Sequence, residues 1–297
     1  MLPNFLILGA PKCGTTTLHE VLRSRADIFL PPSKDPLFFE LDDEYKCGPR
    51  FYWEYYFHEW QGEAVVGEAR PTKLFLPYVP ERIKTVLPEV KLIAMLRNPA
   101  DRVFSHWWMR SCNGKETLGL SEALRLNTEA LSNGRTFEGE RGRARWKEHF
   151  ASSRFMAPVY LEMGHYAEQL VRYLEIFPHS QIKILYFDDL RDRPTELFQD
   201  VLHFLGADAT LPLKERLVHN AALPNFLLPL MKLDRGLGLS NLIPITAKAS
   251  LKSTLSRWGQ RPQLDREMRC WLADYYLPHN QALSLLTGRD LSHWNVI

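Results

Sequence analysis

The residues best suited to chemistry lie near the start of the chain, where a lysine and three threonines follow a short apolar run. Residues 5–8 are apolar and predict a buried strand, and the threonines open an amphipathic segment that predicts a helix. A loop between a strand and a helix can bind phosphate, because its free amides and the positive end of the helix dipole face the anion. We predict that this loop binds a phosphate group through Lys12, Cys13, Gly14, Thr15, Thr16 and Thr17.

The position of the lysine distinguishes this loop from a Walker A loop. A Walker A loop ends in Gly-Lys-Ser/Thr, so that the hydroxyl can hold magnesium. Here Lys12 comes two residues before Gly14, and Cys13 follows the lysine directly. The simplest alternative is an ordinary strand, turn and helix with a threonine cap, and a variant of the P-loop kinases is a second alternative.

A second group of polar residues follows the apolar segment at residues 91–97. Arg97 ends that segment, and Ser105 lies in the first turns of the helix that Pro99 is expected to open. A guanidinium at a strand end and a hydroxyl in the following helix can converge on a phosphate monoester, the guanidinium through two hydrogen bonds. Taken alone, the same residues are more typical of a surface arginine and a capping serine.

The composition excludes several classes of protein. Of the 297 residues, 45% are hydrophobic and 24% are charged, which is ordinary for a globular domain. The net charge of +2 favours no nucleic-acid or membrane partner, and no apolar run approaches the length of a membrane span. The four cysteines are scattered, so we expect free thiols, and the N-terminus lacks the features of a signal peptide. Together these features predict a cytoplasmic protein.

Segments that predict strands alternate with segments of helical periodicity along most of the chain. The predicted strands lie at residues 5–8, 64–68, 91–97 and 181–187. The third is apolar enough to be buried on both faces, as parallel strands are. The alternation predicts an α/β, P-loop-like three-layer fold, in which helices flank a central, mainly parallel sheet.

We expect a single domain over residues 1–297, with two segments that interrupt the pattern. Residues 113–145 are polar and rich in arginine, and predict a lid or surface insertion. Residues 221–261 carry prolines and glycines that predict irregular structure. The aromatic group at residues 51–60 predicts a helix packed into the core, with a wall of an acceptor pocket as the alternative.

Several motifs together resemble those of one enzyme family. The run Pro-Lys-x-Gly-Thr-Thr-x-Leu, which begins at Pro11, resembles the 5′-phosphosulfate loop of sulfotransferases that use 3′-phosphoadenosine 5′-phosphosulfate (PAPS). Arg97 and Ser105, eight residues apart, resemble the element of these enzymes that binds the 3′-phosphate. Further blocks resemble, in the same order, heparan-sulfate sulfotransferases and their bacterial relatives: Glu68-Ala69-Arg70-Pro71, Gly164-His165-Tyr166, Asp188-Asp189-Leu190 and a C-terminal block that includes Trp294.

The resemblance implies a reaction and roles for the first loop. The reaction is transfer of a sulfuryl group from PAPS to a hydroxyl, less readily an amine, of a small-molecule, lipid or carbohydrate acceptor. Lys12 is then expected to face the bridging oxygen, while the amides of residues 14–17 and the threonine hydroxyls hold the 5′-phosphate. The product is adenosine 3′,5′-bisphosphate (PAP), and the resemblance implies that no metal takes part.

The reaction also needs a base for the acceptor proton. The position that matches the family's glutamate is Asp35, ahead of Leu37-Phe38-Phe39, although its side chain is one methylene shorter and it can equally be a turn residue. Glu68 is the second candidate, with a structural role beside an arginine as its alternative. His106 is the third, but a histidine beside two tryptophans is more often packed than catalytic.

The chain departs from the family pattern at two places. The heparan-sulfate enzymes have a lysine after the position of Glu68, whereas this chain has Ala69 and then Arg70, so heparan sulfate is not assumed as the acceptor. The family's late basic loop that closes over the 3′-phosphate has no clean match, and Arg257 and Arg261 are the candidates for it.

Two other classes of function compete with the sulfotransferase interpretation. A P-loop kinase predicts a hydroxyl directly after the loop lysine, where this chain has Cys13. A nucleotide-binding module without catalysis predicts the loss of the base, yet Asp35 and Glu68 are both present.

Overall fold

Five parallel strands form the central sheet. The computed structural model describes residues 2–32, 35–134, 136–153, 155–208 and 263–296. Its strands are β1 (Phe5–Gly9), β2 (Ile28–Phe29), β3 (Val65–Ala69), β4 (Lys91–Leu96) and β5 (Ile182–Tyr186). Their order across the sheet is β2-β3-β1-β4-β5, and every pairing is parallel. The predicted α/β fold with a mainly parallel sheet is confirmed.

The central strands are buried on both faces. Every residue of β1 and β3 is buried, and so is β4 beyond Lys91. Continuous apolar runs of this kind are typical of parallel strands covered by helices. The register places Leu6 of β1 beside Glu68 on one side and Leu92 on the other, so the carboxyl ends of these strands lie at one edge of the sheet.

Helices connect the strands and flank the sheet. They are α1 (Thr15–Arg23), α2 (Asp42–Lys46), α3 (Gly48–Tyr56), α4 (Val79–Val86), α5 (Pro99–Cys112), α6 (Leu120–Ser132), α7 (Gly139–Ser153), α8 (Tyr166–Leu174), α9 (Phe187–Asp192), α10 (Pro194–Leu205) and α11 (Arg266–Thr287). Short 3-10 helices span Glu162–Gly164, His179–Gln181 and Ser292–Asn295. Within the described ranges, no helix combines the length and the apolar character that a membrane crossing requires.

Several segments differ from the expectation. The strand β2 has only two residues, too few to give a period in the sequence. The polar segment 113–145 contributes α6 and the first half of α7, and its role as a lid stays a prediction. The helix α11 continues through Pro278, although a proline inside a helical pattern usually ends or kinks the helix. Proline removes one helical hydrogen bond, and the buried Tyr276 and Leu283 on either side of it keep the helix packed.

The aromatic group at residues 51–60 is buried on one face only. Tyr52 and Phe57 are buried, whereas Tyr55 is 60% exposed. The predicted packing of this helix into the core therefore holds for one face, and the other face remains available to a ligand.

The C-terminal block fastens the ends of β4 and β5. The indole of Trp294 donates a hydrogen bond of 2.8 Å to the carboxylate of Asp188, and Arg289 donates one of 2.9 Å to Asp189. The side-chain amide of Asn98, which caps α5, donates to the carbonyl of Trp294 at 3.1 Å. These contacts fix the residues that follow both strands.

Candidate active site

Residues that follow all five strands line one cavity at the carboxyl edge of the sheet. The cavity has a volume of about 490 Å³. The strand β1 lies between β3 and β4, at the position where open parallel sheets bind ligands. Each strand is followed by at least one lining residue: Lys12 after β1, Asp35 after β2, Arg70 after β3, Arg97 after β4 and Phe187 after β5.

The loop after β1 brings the start of a helix to this cavity. Thr15, Thr16 and Thr17 line the cavity and open α1, whose first amides have no acceptors within the helix. Gly14 precedes them with φ 96°, a left-handed conformation that favours glycine. A Cβ atom on Gly14 would lie 3.0 Å from the ring of Phe187, so neighbouring side chains would have to shift to admit it. The predicted loop has the geometry of an anion site.

Lys12 lies half-buried in the same loop. Its backbone is left-handed, with φ 70°, which is uncommon for a residue other than glycine and is concentrated at functional sites. Its ammonium lies 3.3 Å from the sulfur of Met109 in α5. A thioether is a weak acceptor, so this contact positions the lysine at low cost to its ability to bind an anion.

Arg97 and Ser105 lie on the wall that α5 provides. The guanidinium of Arg97 packs 4.6 Å from the ring centre of Phe187 and lies 3.7 Å from the carboxylate of Asp101. Its Nε is buried and has no hydrogen-bond acceptor among the described residues. Buried donors are usually paired, so this one fits a ligand that accepts from it. The two residues that we predicted as a phosphate pair do line one cavity.

Arg70 connects the candidate base to a buried carboxylate. It donates two hydrogen bonds of 3.0 Å to Glu40, whose side chain is fully buried. Another nitrogen of the same guanidinium lies 3.8 Å from the carboxylate of Asp35, which is exposed to the cavity and solvent. Because a double hydrogen bond fixes the plane of a guanidinium, Arg70 holds a set position beside Asp35.

A comparison with known families decides the class of this protein. The model of the sulfotransferase domain family matches residues 2–269, which is most of the chain. The chain belongs to the sulfotransferase family. The family resemblance that the motifs carried is thereby confirmed.

Individual relatives agree with this assignment. The chain is 25% identical over 302 residues to human "bifunctional heparan sulfate N-deacetylase/N-sulfotransferase 2", a match that covers 97% of this chain and 30% of the relative. It is 25% identical over 308 residues to mouse "bifunctional heparan sulfate N-deacetylase/N-sulfotransferase 3", covering 99% and 31%. The chain thus spans about a third of the length of these curated relatives.

A solved structure matches along the entire chain. The crystal structure of a sulfotransferase from Alicyclobacillus acidocaldarius is 25% identical, has a TM-score of 0.70 and is covered completely, as is this chain. The fold of this sulfotransferase is therefore shared with an enzyme of the same class.

Glu68, the second predicted base of the sulfotransferase, does not line the cavity. It lies inside β3 with its side chain fully buried, and it is ion-paired with Lys73, which is also fully buried. Burial raises the pKa of Glu68, and the ammonium of Lys73 opposes this effect. The arrangement favours a structural ion pair over the catalytic role that we predicted.

His106, the third candidate base, is also packed inside the protein. It is completely buried in α5, and neither ring nitrogen has a hydrogen-bond partner in the described part of the chain. Burial, followed by the nearby Arg102 and Arg110, holds the pKa of His106 well below its usual value. Its ring lies 4.8 Å from that of Tyr160. These features are those of a packed histidine.

The side chain of Cys13 packs into the core beneath the loop that follows β1. Its thiol is fully buried and lies 3.5 Å from the hydroxyl of Tyr166. Burial raises the pKa of Cys13, so the group is a neutral thiol at physiological pH. Cys13 was predicted to bind the cofactor. Because its side chain is buried, only its main chain is available to a ligand.

Two further predictions concern metal binding and the late basic loop. Arg257 and Arg261 lie outside the described residues. Within the described ranges, one group of potential metal ligands is formed by His165, Glu168 and His279, whose candidate atoms lie within 4.8 Å of one another. None of the three lines the cavity that contains Lys12.

Sequence reasoning missed the apolar side of the cavity. Its apolar lining consists of Met109, Trp146, Phe150, Phe155 and Met156. Trp146 and Phe150 are four residues apart in α7, so the apolar spacing of a helix was the available signal directly after the segment 113–145 that we expected to be a lid.

Proposed function

We propose that this sulfotransferase uses PAPS as the donor and sulfates a hydroxyl, less readily an amine, of a small-molecule, lipid or carbohydrate acceptor. The arrangement that supports this proposal is the presence of two separate anion-binding positions in one cavity. The loop of Lys12 follows β1, and the pair Arg97 and Ser105 follows β4, which is the neighbouring strand. A nucleotide with phosphates on both its 5′ and 3′ positions fits two such positions.

A donor that carries a polyphosphate chain fits the cavity less well. Such donors are usually bound with magnesium, which needs a hydroxyl directly after the loop lysine. Cys13 occupies that place, and its thiol is buried beneath the loop. The geometry therefore favours a donor whose anionic groups are bound by cations and amides.

The proposed mechanism is a single in-line displacement. The acceptor oxygen forms a bond to sulfur while the bond from sulfur to the bridging oxygen of the donor breaks. Lys12 and the first amides of α1 stabilise the charge that develops on the leaving phosphate. Arg97 and Ser105 hold the 3′-phosphate and set the orientation of the nucleotide. Asp35 takes the proton of the acceptor hydroxyl.

We also propose the setting in which the enzyme works. All four cysteines are free, and Cys13 and Cys112 are buried, which suits a reducing, cytoplasmic compartment. The chain forms one sulfotransferase domain in this proposal, and residues 113–145 close over the bound substrates. This segment leads into the part of α7 that adds Trp146 and Phe150 to the cavity.

Release of PAP from PAPS tests the proposal. The enzyme is incubated with PAPS and a mixture of phenols, alcohols and amines, and PAP is quantified in the wild type and in Lys12→Ala. We expect Lys12→Ala to lose about 10²–10³-fold in kcat, as when one stabiliser of developing charge is removed. Lys84→Ala is the matched control, because Lys84 bonds to the carbonyl of Pro88 ahead of β4, at the opposite edge of the sheet. Equal activity of the two variants contradicts the role of Lys12.

A further inference from the structure

A second cavity adjoins the one that contains Lys12. It has a volume of about 1070 Å³, and we call it the outer cleft. Asp35, Arg70 and Phe150 line both cavities. A molecule in the outer cleft can therefore present a group to Asp35, which also lines the cavity that contains Lys12. An acceptor needs this access to the candidate base.

The charged residues of the outer cleft are mostly acidic. Its described lining contains four carboxylates, those of Asp35, Asp43, Glu44 and Glu59, and two cations, Arg70 and Lys147. Arg70 is bound to Glu40 and lies beside Asp35, as described above. Lys147 lies 2.7 Å from Asp43. Both cations are thus already paired, and the unbalanced charge of the described lining is negative.

The other titratable groups of the cleft do not reverse this balance. Glu59 lies 3.8 Å from the exposed imidazole of His58. Burial raises the pKa of Glu44, which accepts a hydrogen bond of 2.6 Å from the hydroxyl of Tyr56. Glu44 is therefore less readily ionised than an ordinary glutamate. Without Glu44, the three other carboxylates still outnumber the two cations.

The rest of the outer cleft is apolar and aromatic. Tyr55, Tyr56 and Phe150 present ring surfaces, and Pro31, Pro32 and Leu37 add aliphatic surface. The hydroxyl of Tyr56 is engaged by Glu44 and by the amide of Leu37, so Tyr56 offers chiefly its ring to a ligand. Surfaces of this composition bind the body of a ligand by burying apolar area.

We propose that the outer cleft binds the acceptor, and that this acceptor is an uncharged or cationic molecule with an aromatic or aliphatic body. This proposal rests on the proposed function, since it names the substrate of the same site. A polyanionic glycan would place its charges against cations that are already paired and against a described lining whose net charge is negative, which is unfavourable. The chain therefore differs in acceptor from the relatives whose names refer to heparan sulfate.

Three phenols of similar size, whose para side chains differ in charge, test this proposal. They are tyramine, which carries an ammonium, tyrosol, which is neutral, and 4-hydroxyphenylacetate, which carries a carboxylate. With PAPS saturating, we expect kcat/KM to be at least about tenfold lower for the carboxylate than for either of the others, because like charges repel across the cleft. The difference should shrink at high salt, since salt screens the charges of a partly exposed site.

A charge-reversal variant tests whether the outer cleft is the source of the preference against the carboxylate. In Glu59→Lys, the preference against 4-hydroxyphenylacetate should narrow several-fold. Glu89→Lys makes the same charge change at an exposed position two residues before β4, at the far edge of the sheet, and should leave the preference unchanged. If none of the three phenols is sulfated, the same ranking is measured as affinity for the enzyme saturated with PAP.

Equal or better use of the carboxylate, or equal affinity for all three phenols, overturns the proposal. Sulfation of a desulfated heparan oligosaccharide in preference to tyrosol does so as well. Failure of the proposed function would give a different result. The protein would then neither bind PAP nor turn over PAPS, whichever acceptor is supplied.

Discussion

Arg70 lies 3.8 Å from Asp35 at the point where the two cavities of the enzyme meet. Because Arg70 is hydrogen-bonded to the buried Glu40, its guanidinium is held beside Asp35. This contact supports the proposed role of Asp35 as the base. Arg70 directly follows β3 and so places a cation one residue after Ala69.

Removal of the carboxylate at position 35 should therefore affect chemistry and not donor binding. We expect Asp35→Asn to lower kcat by about 10²–10⁴-fold, the usual contribution of a positioned base. The affinity for PAP, measured by calorimetry, should remain within twofold of the wild type. Asp35→Glu keeps the carboxylate and should recover most of the activity. Unchanged kcat in Asp35→Asn would assign the proton transfer to another group.

Glu68 and Lys73 should behave as a structural pair. Glu68→Gln leaves the buried ammonium of Lys73 without its partner and should lower the free energy of unfolding by about 3–5 kcal/mol. The double variant Glu68→Gln, Lys73→Met should recover much of this loss. Urea denaturation of the wild type, the two single variants Glu68→Gln and Lys73→Met, and the double variant measures this coupling. In both cases kcat per folded molecule should stay near the wild-type value. A large loss of kcat in a stable double variant would restore Glu68 as a candidate base.

The affinity of the loop after β1 for PAP should depend on Gly14. We expect Gly14→Ala to weaken PAP binding, because a Cβ there meets Phe187 and Leu190 at 3.0–3.1 Å and the loop must shift. Gly48→Ala is a matched control, since Gly48 also has a positive φ, of 81°, but a Cβ at Gly48 would meet no neighbouring group within 4 Å. Both variants should bear the cost of a left-handed alanine, about 1–2 kcal/mol in stability. Only Gly14→Ala should change the calorimetric affinity for PAP.

The long buried strands could be predicted from the sequence, whereas the short strand β2 and the polar helices could not. The strands β1 and β4 are buried on both faces, so their apolar runs stand out in the sequence and predict a parallel sheet. The strand β2 has two residues and leaves no period, and the helices of the segment 113–145 are polar on most of their surface. Their positions depend on contacts with the rest of the protein.

Some residues of the candidate site could be identified from the sequence, whereas the roles of others depend on contacts that only the structure shows. Lys12, Gly14 and Arg97 follow strong strands and carry recognisable spacing, so the sequence identified them. The distinction between Glu68 and Arg70 did not follow from residue type, since both are charged residues near the end of β3. It depends on Lys73, which reaches back to Glu68 and buries it, and on Glu40, which holds Arg70 at the cavity.

His106 should make the folded state sensitive to acid. Burial holds its pKa well below the value of 6.5 that an exposed histidine has, so the unfolded chain binds a proton at a higher pH than the folded protein does. Stability should therefore be full above pH 6.5 and fall as the pH decreases below it, by up to about 1.4 kcal/mol per pH unit. Urea denaturation between pH 5 and 8 measures this slope.

The matched variants for this prediction are His106→Phe and His179→Phe. His179 is exposed, so its replacement should leave the acid slope unchanged. His106→Phe should reduce the slope, because the buried group no longer titrates. An acid slope that is identical in His106→Phe and the wild type would contradict the effect assigned to this histidine.

Calorimetric titration with PAP is the most direct test of the central claim, that one cavity binds a nucleotide through separate 5′- and 3′-phosphate positions without metal. PAP is titrated in EDTA, and ATP is titrated separately with magnesium. We expect the wild type to bind PAP at least about 100-fold more tightly, because loss of two charged hydrogen bonds costs about 3 kcal/mol. Arg97→Ala should remove most of this preference. Preference for ATP with magnesium, or PAP binding that requires a metal, would contradict the account.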